Sequence, residues 1–137
     1  MRLVMLSLVV ALAGCSVQPP AGSDAATAPV SGEETVTVLL SSFSFDPEHI
    51  RLQAGKPVRL RLVNESDGGH NFSAPAFFAA SNFPPGSSAP ADGTVEVASH
   101  QTVEVPLVPR QPGIYPLKCT HPLHALFGMT GAIEVVH

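Results

Sequence analysis

The 137-residue chain carries 7 Lys and Arg against 11 Asp and Glu, a net charge of −4 with its histidines neutral, and no basic run. That length gives one ordinary domain once a processed segment is set aside. Nucleic-acid binding, which needs clustered Lys and Arg, is excluded.

In chain order, Met1-Arg2 is a short positive start, and Leu3 to Leu12 is apolar except for Ser7. Ten residues are too few to span a bilayer but suit a secretory signal. The run ends in Leu12-Ala13-Gly14-Cys15, which resembles the bacterial lipoprotein cleavage box. The resemblance implies a signal peptide over 1–14, lipidation at Cys15, and an exported domain anchored to a cell-envelope membrane. It also leaves Cys119 as the one cysteine of the folded part, so no disulfide is available there. An unpaired thiol outside the cytoplasm is open to oxidation, and metal ligation explains its presence.

From Ser16 to Glu34 the chain is mostly Pro, Ala, Ser, Gly and Thr with three acids. Such a stretch buries too little apolar surface to order itself and reads as a tether over 15–34. The domain spans 35–137. Thr35 to Leu40 alternates, with Phe43-Ser44-Phe45 continuing the pattern. Ile50-Arg51-Leu52 and Val58 to Val63 follow, separated by the turn signal Gly55-Lys56. Thr94 to Val97 and Thr102 to Val105 alternate on either side of Ser99-His100, and Gly113 to Cys119 and Gly131 to Val136 close the domain. Period-two alternation means one wet face and one buried face, as in an all-β, two-sheet sandwich. One short helix is expected at Ala76 to Ser81.

The segment 74–93 breaks the rhythm with Pro75, Pro84, Pro85, Gly86 and Pro90 among Phe77, Phe78 and Phe83. Two readings stand for so long a loop: a flap over one end of the sandwich, or a contact for a partner.

The chemistry concentrates in Cys119-Thr120-His121-Pro122-Leu123-His124 and the following Gly128-Met129, where thiol, imidazole and thioether recur as Cys-x4-His-x4-Met. Upstream, Gly68-Gly69-His70-Asn71-Phe72 supplies a second imidazole. Two histidines, one cysteine and a weak axial methionine suit both soft Cu(I) and harder Cu(II). Three donors on one loop converge on a point, and a fourth from another strand ties that point to a rigid sheet.

At these residues the chain resembles the cupredoxins, the small blue type 1 copper proteins, over about a hundred residues from Thr35 onward. Gly113-x-Tyr115 leading into the cysteine strand and Gly128-Met129-x-Gly131 also fit. The resemblance implies a Greek-key β-sandwich holding one copper ion (Cu+/Cu2+). His70, Cys119 and His124 would be the strong ligands and Met129 the axial one. Asn71 and Thr120 are expected to fasten the two ligand regions together. His121 is surplus: it either touches the metal, hydrogen-bonds nearby or lies at the surface. His49, His100 and His137 are expected to face solvent.

Pro122, Leu123, Ala125, Leu126 and Phe127 make the surroundings of His124 apolar. In the family, redox partner proteins dock on such a patch; otherwise these side chains roof the metal. Two functions fit: a one-electron carrier outside the cytoplasm, or an extracytoplasmic copper-binding and delivery protein. An enzyme is not expected, because no acidic residue stands near the loop and the ligand set is closed. The domain is read as a monomer.

Overall fold

A computed structural model describes residues 32–137. The expected signal peptide 1–14, Cys15 and most of the 15–34 tether lie outside the described residues.

The strands are β1 (Glu34–Ser41), β2 (Ser44–Asp46), β3 (His49–Gln53), β4 (Val58–Asn64), β5 (His70–Ser73), β6 (Ser81–Asn82), β7 (Thr94–Val97), β8 (Thr102–Pro109), β9 (Gly113–Lys118) and β10 (Thr130–Val136). They form two five-stranded sheets, ordered β2-β1-β4-β8-β6 and β3-β10-β9-β5-β7. Alternation sets the facing. β4 buries Val58, Leu60, Leu62 and Asn64 and turns Arg59, Arg61 and Val63 outward, with Arg61 the most exposed of the three. The core between the sheets joins Val38, Leu40, Leu60, Leu62 and Leu107 to Ile50, Phe72, Val97, Leu117 and Ile133.

Within this sandwich the pairing is mixed. β1 runs parallel to β4 and β3 parallel to β10; the other ladders are antiparallel. β7 and β8, adjacent in the chain, lie in different sheets, so Ala98–Gln101 crosses from one sheet to the other. The expectation that Phe43 to Phe45 prolongs the first strand is corrected. The chain reverses, β2 pairs back on β1, and Phe43 sits in the turn at φ 65°.

The helix occupies Pro75–Ala79, with proline at its first turn, where a missing N–H costs nothing. It buries Phe77 and Phe78, and these continue an aromatic chain in which Phe72 meets Phe45 and Phe78, and Phe77 meets Tyr115. This part of the 74–93 segment is packed into the hydrophobic core. Tyr115 fixes the entry to β9 by donating its hydroxyl to Gln111 O at 2.8 Å.

Candidate metal centre

β9 and β10 form a hairpin whose last cross-strand pair is Lys118 with Thr130. The chain between them is the predicted ligand loop. Cys119 N–H donates to Met129 O at 3.0 Å, carrying the ladder one step further. Met129 N–H donates to His124 O at 2.9 Å, and His124 N–H to His121 O at 3.2 Å. The loop is thus a series of turns closed by its own backbone, with Leu123 at φ 68° and Gly128 at φ 102°. Turns of this kind let donors five residues apart converge where a regular strand would separate them.

β5 starts at His70 and pairs with β9 through Ser73 and Lys118, so His70 reaches the same end of the sandwich. The ligating atoms of His70, Cys119 and His124 all lie within 4.8 Å of one another. His70 Nδ1 is 3.2 Å from His124 Nδ1, and Cys119 Sγ is 3.4 Å from the same nitrogen. Cys119 and Met129 are wholly buried, His70 almost so, and His124 is half-buried.

The His70 ring is oriented from behind. Its Nε2 is 2.9 Å from Ser66 Oγ, whose own hydroxyl donates to Asn64 Oδ1 at 2.7 Å. With the serine proton so placed, Ser66 accepts from Nε2–H, and His70 Nδ1 is left as a bare lone pair facing the cysteine and His124. Asn64 is buried and donates to Gly68 O at 2.8 Å and Val97 O at 3.0 Å, which fixes the turn before β5. Burial, and then the nearby His124 and His121, hold the His70 ring below its ordinary pKa, so it stays neutral and able to ligate.

Asn71 and Thr120 meet between the two ligand regions. Thr120 N–H donates to Asn71 Oδ1 at 2.8 Å, and Asn71 Nδ2 donates to Thr120 Oγ1 at 2.8 Å. Asn71 Nδ2 also reaches Glu96 Oε1 at 2.7 Å. His121 lies outside the group of three: its Nε2 is 2.9 Å from Glu96 Oε2. The expectation of no acidic residue near the loop is therefore corrected, because strand pairing sets Glu96 opposite Asn71. Burial pushes the Glu96 carboxyl up, but the hydrogen bonds from Asn71 and His121 outweigh this and hold it below its ordinary value. His49, His100 and His137 are exposed, with His100 beside Asp67.

Sequence reasoning missed Ser66, Asn64, Glu96 and Phe43. An Asn with Ser two residues on is an Asx-turn signal that could have marked the first two. Phe43 had no signal, since its ring meets His124 edge-on at 5.2 Å from across the fold. It also meets Phe127, and Leu123, Leu126 and Phe127 are exposed on the ligand loop, making an apolar surface around the His124 edge.

The donor set fits copper. Two imidazole nitrogens and a buried thiol suit a metal that alternates between soft and borderline states, and the thioether of Met129 is buried on the same loop. His70, Cys119, His124 and Met129 make a type 1 copper-like site.

A family model described as the cupredoxin-like domain matches residues 4–133. No curated protein matches significantly. Among solved structures, the fold is similar to a dithionite-reduced auracyanin of the photosynthetic bacterium Roseiflexus castenholzii, with TM-score 0.58, 16% identity, and 75% of this chain and 97% of that one covered. Auracyanin B gives TM-score 0.57 and 25% identity over 76% of this chain and 89% of that one. Auracyanin A, a blue copper protein of the green thermophilic bacterium Chloroflexus aurantiacus, gives TM-score 0.54 and 25% identity over 77% and 100%.

Proposed function

This chain belongs to the cupredoxin-like family, and from that premise we propose that it is a one-electron carrier working outside the cytoplasm. The observation that carries the reading is a buried thiol facing two histidine Nδ1 atoms beneath an apolar surface. We assign His70, Cys119 and His124 as strong ligands and Met129 as the axial one. Bound copper supplies the Cu(I)/Cu(II) couple. The residues of the chain do the rest: Ser66 aims the His70 ring, Asn71 and Thr120 lock the two ligand regions, and burial of Cys119 excludes water. His124 is the ligand side chain nearest the apolar surface. A partner covering Phe43, Leu126 and Phe127 comes into contact with its ring, and a small dry interface suits brief encounters. Likeness to the auracyanins, one of them a blue copper protein, supports the same role.

Export and lipid anchoring are part of the proposal, supported by the apolar segment ending at Cys15. Delivery of copper is the second function considered. It requires donors that open readily to exchange, whereas Cys119 and Met129 are wholly buried and His121 is engaged by Glu96. Cyclic voltammetry of the copper-loaded protein separates the two. A carrier cycles reversibly and shows intense visible thiolate-to-Cu(II) absorption that Cys119→Ala abolishes. A colourless protein that binds one copper without reversible cycling refutes the carrier.

A further inference from the structure

Glu96 projects from β7 with its side chain 65% exposed, and each carboxylate oxygen has its own partner. Oε1 accepts from Asn71 Nδ2 at 2.7 Å, and Oε2 lies 2.9 Å from His121 Nε2. The first partner adjoins His70, and the second follows Cys119 by two residues. We propose that Glu96 is a positioning residue of the metal centre, which sets the Asn71 amide and keeps His121 out of the ligand group.

An ionised carboxylate can only accept hydrogen bonds. It therefore draws the NH₂ side of Asn71 toward itself, which leaves Oδ1 for Thr120 N–H at 2.8 Å. A reversed amide would set NH₂ against N–H and lose the backbone one of the two bonds that join Asn71 to Thr120. Thr120 N–H and Glu96 impose the same orientation from opposite sides, and Glu96 is the constraint that a side-chain substitution removes.

The second half concerns a competing donor. The His121 ring is 5.5 Å from that of His124, near enough for a released imidazole to approach the metal. A third imidazole in place of the soft thioether favours Cu(II) over Cu(I), so release of His121 lowers the reduction potential. Glu96 prevents this by occupying Nε2. An exposed ion pair contributes little by charge alone, so the role is geometric.

The His121 half rests on the copper assignment above, while the Asn71 half does not. The test uses the full chain with Glu96→Ala and Glu96→Gln. In metal-free protein, NMR hydrogen exchange at the Thr120 amide quickens about tenfold in the alanine variant, as expected for loss of a charge-assisted bond supporting it. Glutamine restores protection, because its amide oxygen still accepts from Asn71. In copper-loaded protein, Glu96→Ala shifts the visible band and lowers the potential, and adding His121→Ala returns both toward wild type. Unchanged Thr120 exchange in Glu96→Ala, or a glutamine variant that behaves like alanine, overturns the positioning role. A visible band in Glu96→Ala that ignores His121→Ala overturns the His121 half. A wild type that takes up no copper defeats the proposed function instead, and Thr120 exchange still decides the role of Glu96 at Asn71.

Discussion

His70 and His124 face each other through their Nδ1 atoms at 3.2 Å, while the far nitrogen of His70 is held by Ser66 Oγ at 2.9 Å. The hydroxyl behind the ring therefore decides which nitrogen stays free for a metal. Ser66→Ala removes that preference and leaves Nε2–H unpaired. Copper affinity is expected to fall about 10- to 100-fold, the usual effect of losing a partner behind a metal-bound histidine. Competition against a chelator of known affinity measures it, and an unchanged affinity would show that Ser66 does not set the ring.

A pH dependence follows from the same ring. The His70 pKa in the folded, metal-free protein lies below the value of about 6.5 expected in the unfolded chain, because burial and then the nearby His124 and His121 disfavour its charged form. Below pH 6.5 the unfolded chain binds a proton that the folded protein refuses, so acid favours unfolding. This contribution to stability is intact above pH 6.5 and is lost as pH falls toward the folded value. Urea midpoints of the metal-free protein between pH 7.5 and 5.5 should drop with acidification, and His70→Gln should flatten that slope.

The apolar surface predicts a separable effect on partners. No Asp, Glu, Lys or Arg occurs between Cys119 and Ile133, and the neighbouring Glu96 carboxylate is engaged by Asn71 and His121, so docking there is expected to depend weakly on salt. Leu126 is 78% exposed, and replacing it by lysine removes no core packing. Leu126→Lys should slow bimolecular electron exchange with a protein partner about tenfold, for roughly 1.4 kcal/mol lost from the encounter, with midpoint potential and visible spectrum unchanged. Stopped-flow rates at two ionic strengths test this, and an unaltered rate would move docking elsewhere.

The ligand loop was legible because its chemistry is local: Cys119, His124 and Met129 lie within eleven residues, and the fit of that set to copper needs no tertiary information. The sandwich was legible for a similar reason, since alternation in β4 reports its buried face directly. What stayed hidden depends on pairing between distant strands. Glu96 reads as the wet residue of an alternating strand, and only the register of β5 against β7 brings it to Asn71. Phe43 looked like the next step of β1 because no Gly or Asn announces a turn there, yet it takes a left-handed φ that glycine normally supplies. Parallel pairing of β1 with β4 leaves no trace in either strand, because period-two burial is the same in both senses.

Gly131 gives the last prediction. A Cβ there would sit 2.5 Å from Glu48 O and 3.3 Å from Leu117 Cδ2. The first obstacle is backbone, held by the bond from Ala132 N–H to Glu48 O at 2.9 Å where β3 and β10 begin to pair. Gly131→Ala must therefore push β3 off β10 immediately beyond Met129, and should destabilise the fold by about 1–3 kcal/mol, the range for overpacking a filled site. Gly68→Ala is the control: its Cβ would meet nothing within 4 Å and its φ is not left-handed, so stability should change by less than about 0.5 kcal/mol. Denaturant unfolding of both variants in the metal-free state decides the point. Equal midpoints would show that β3 can yield at Glu48 without cost, and that the glycine is not required by packing.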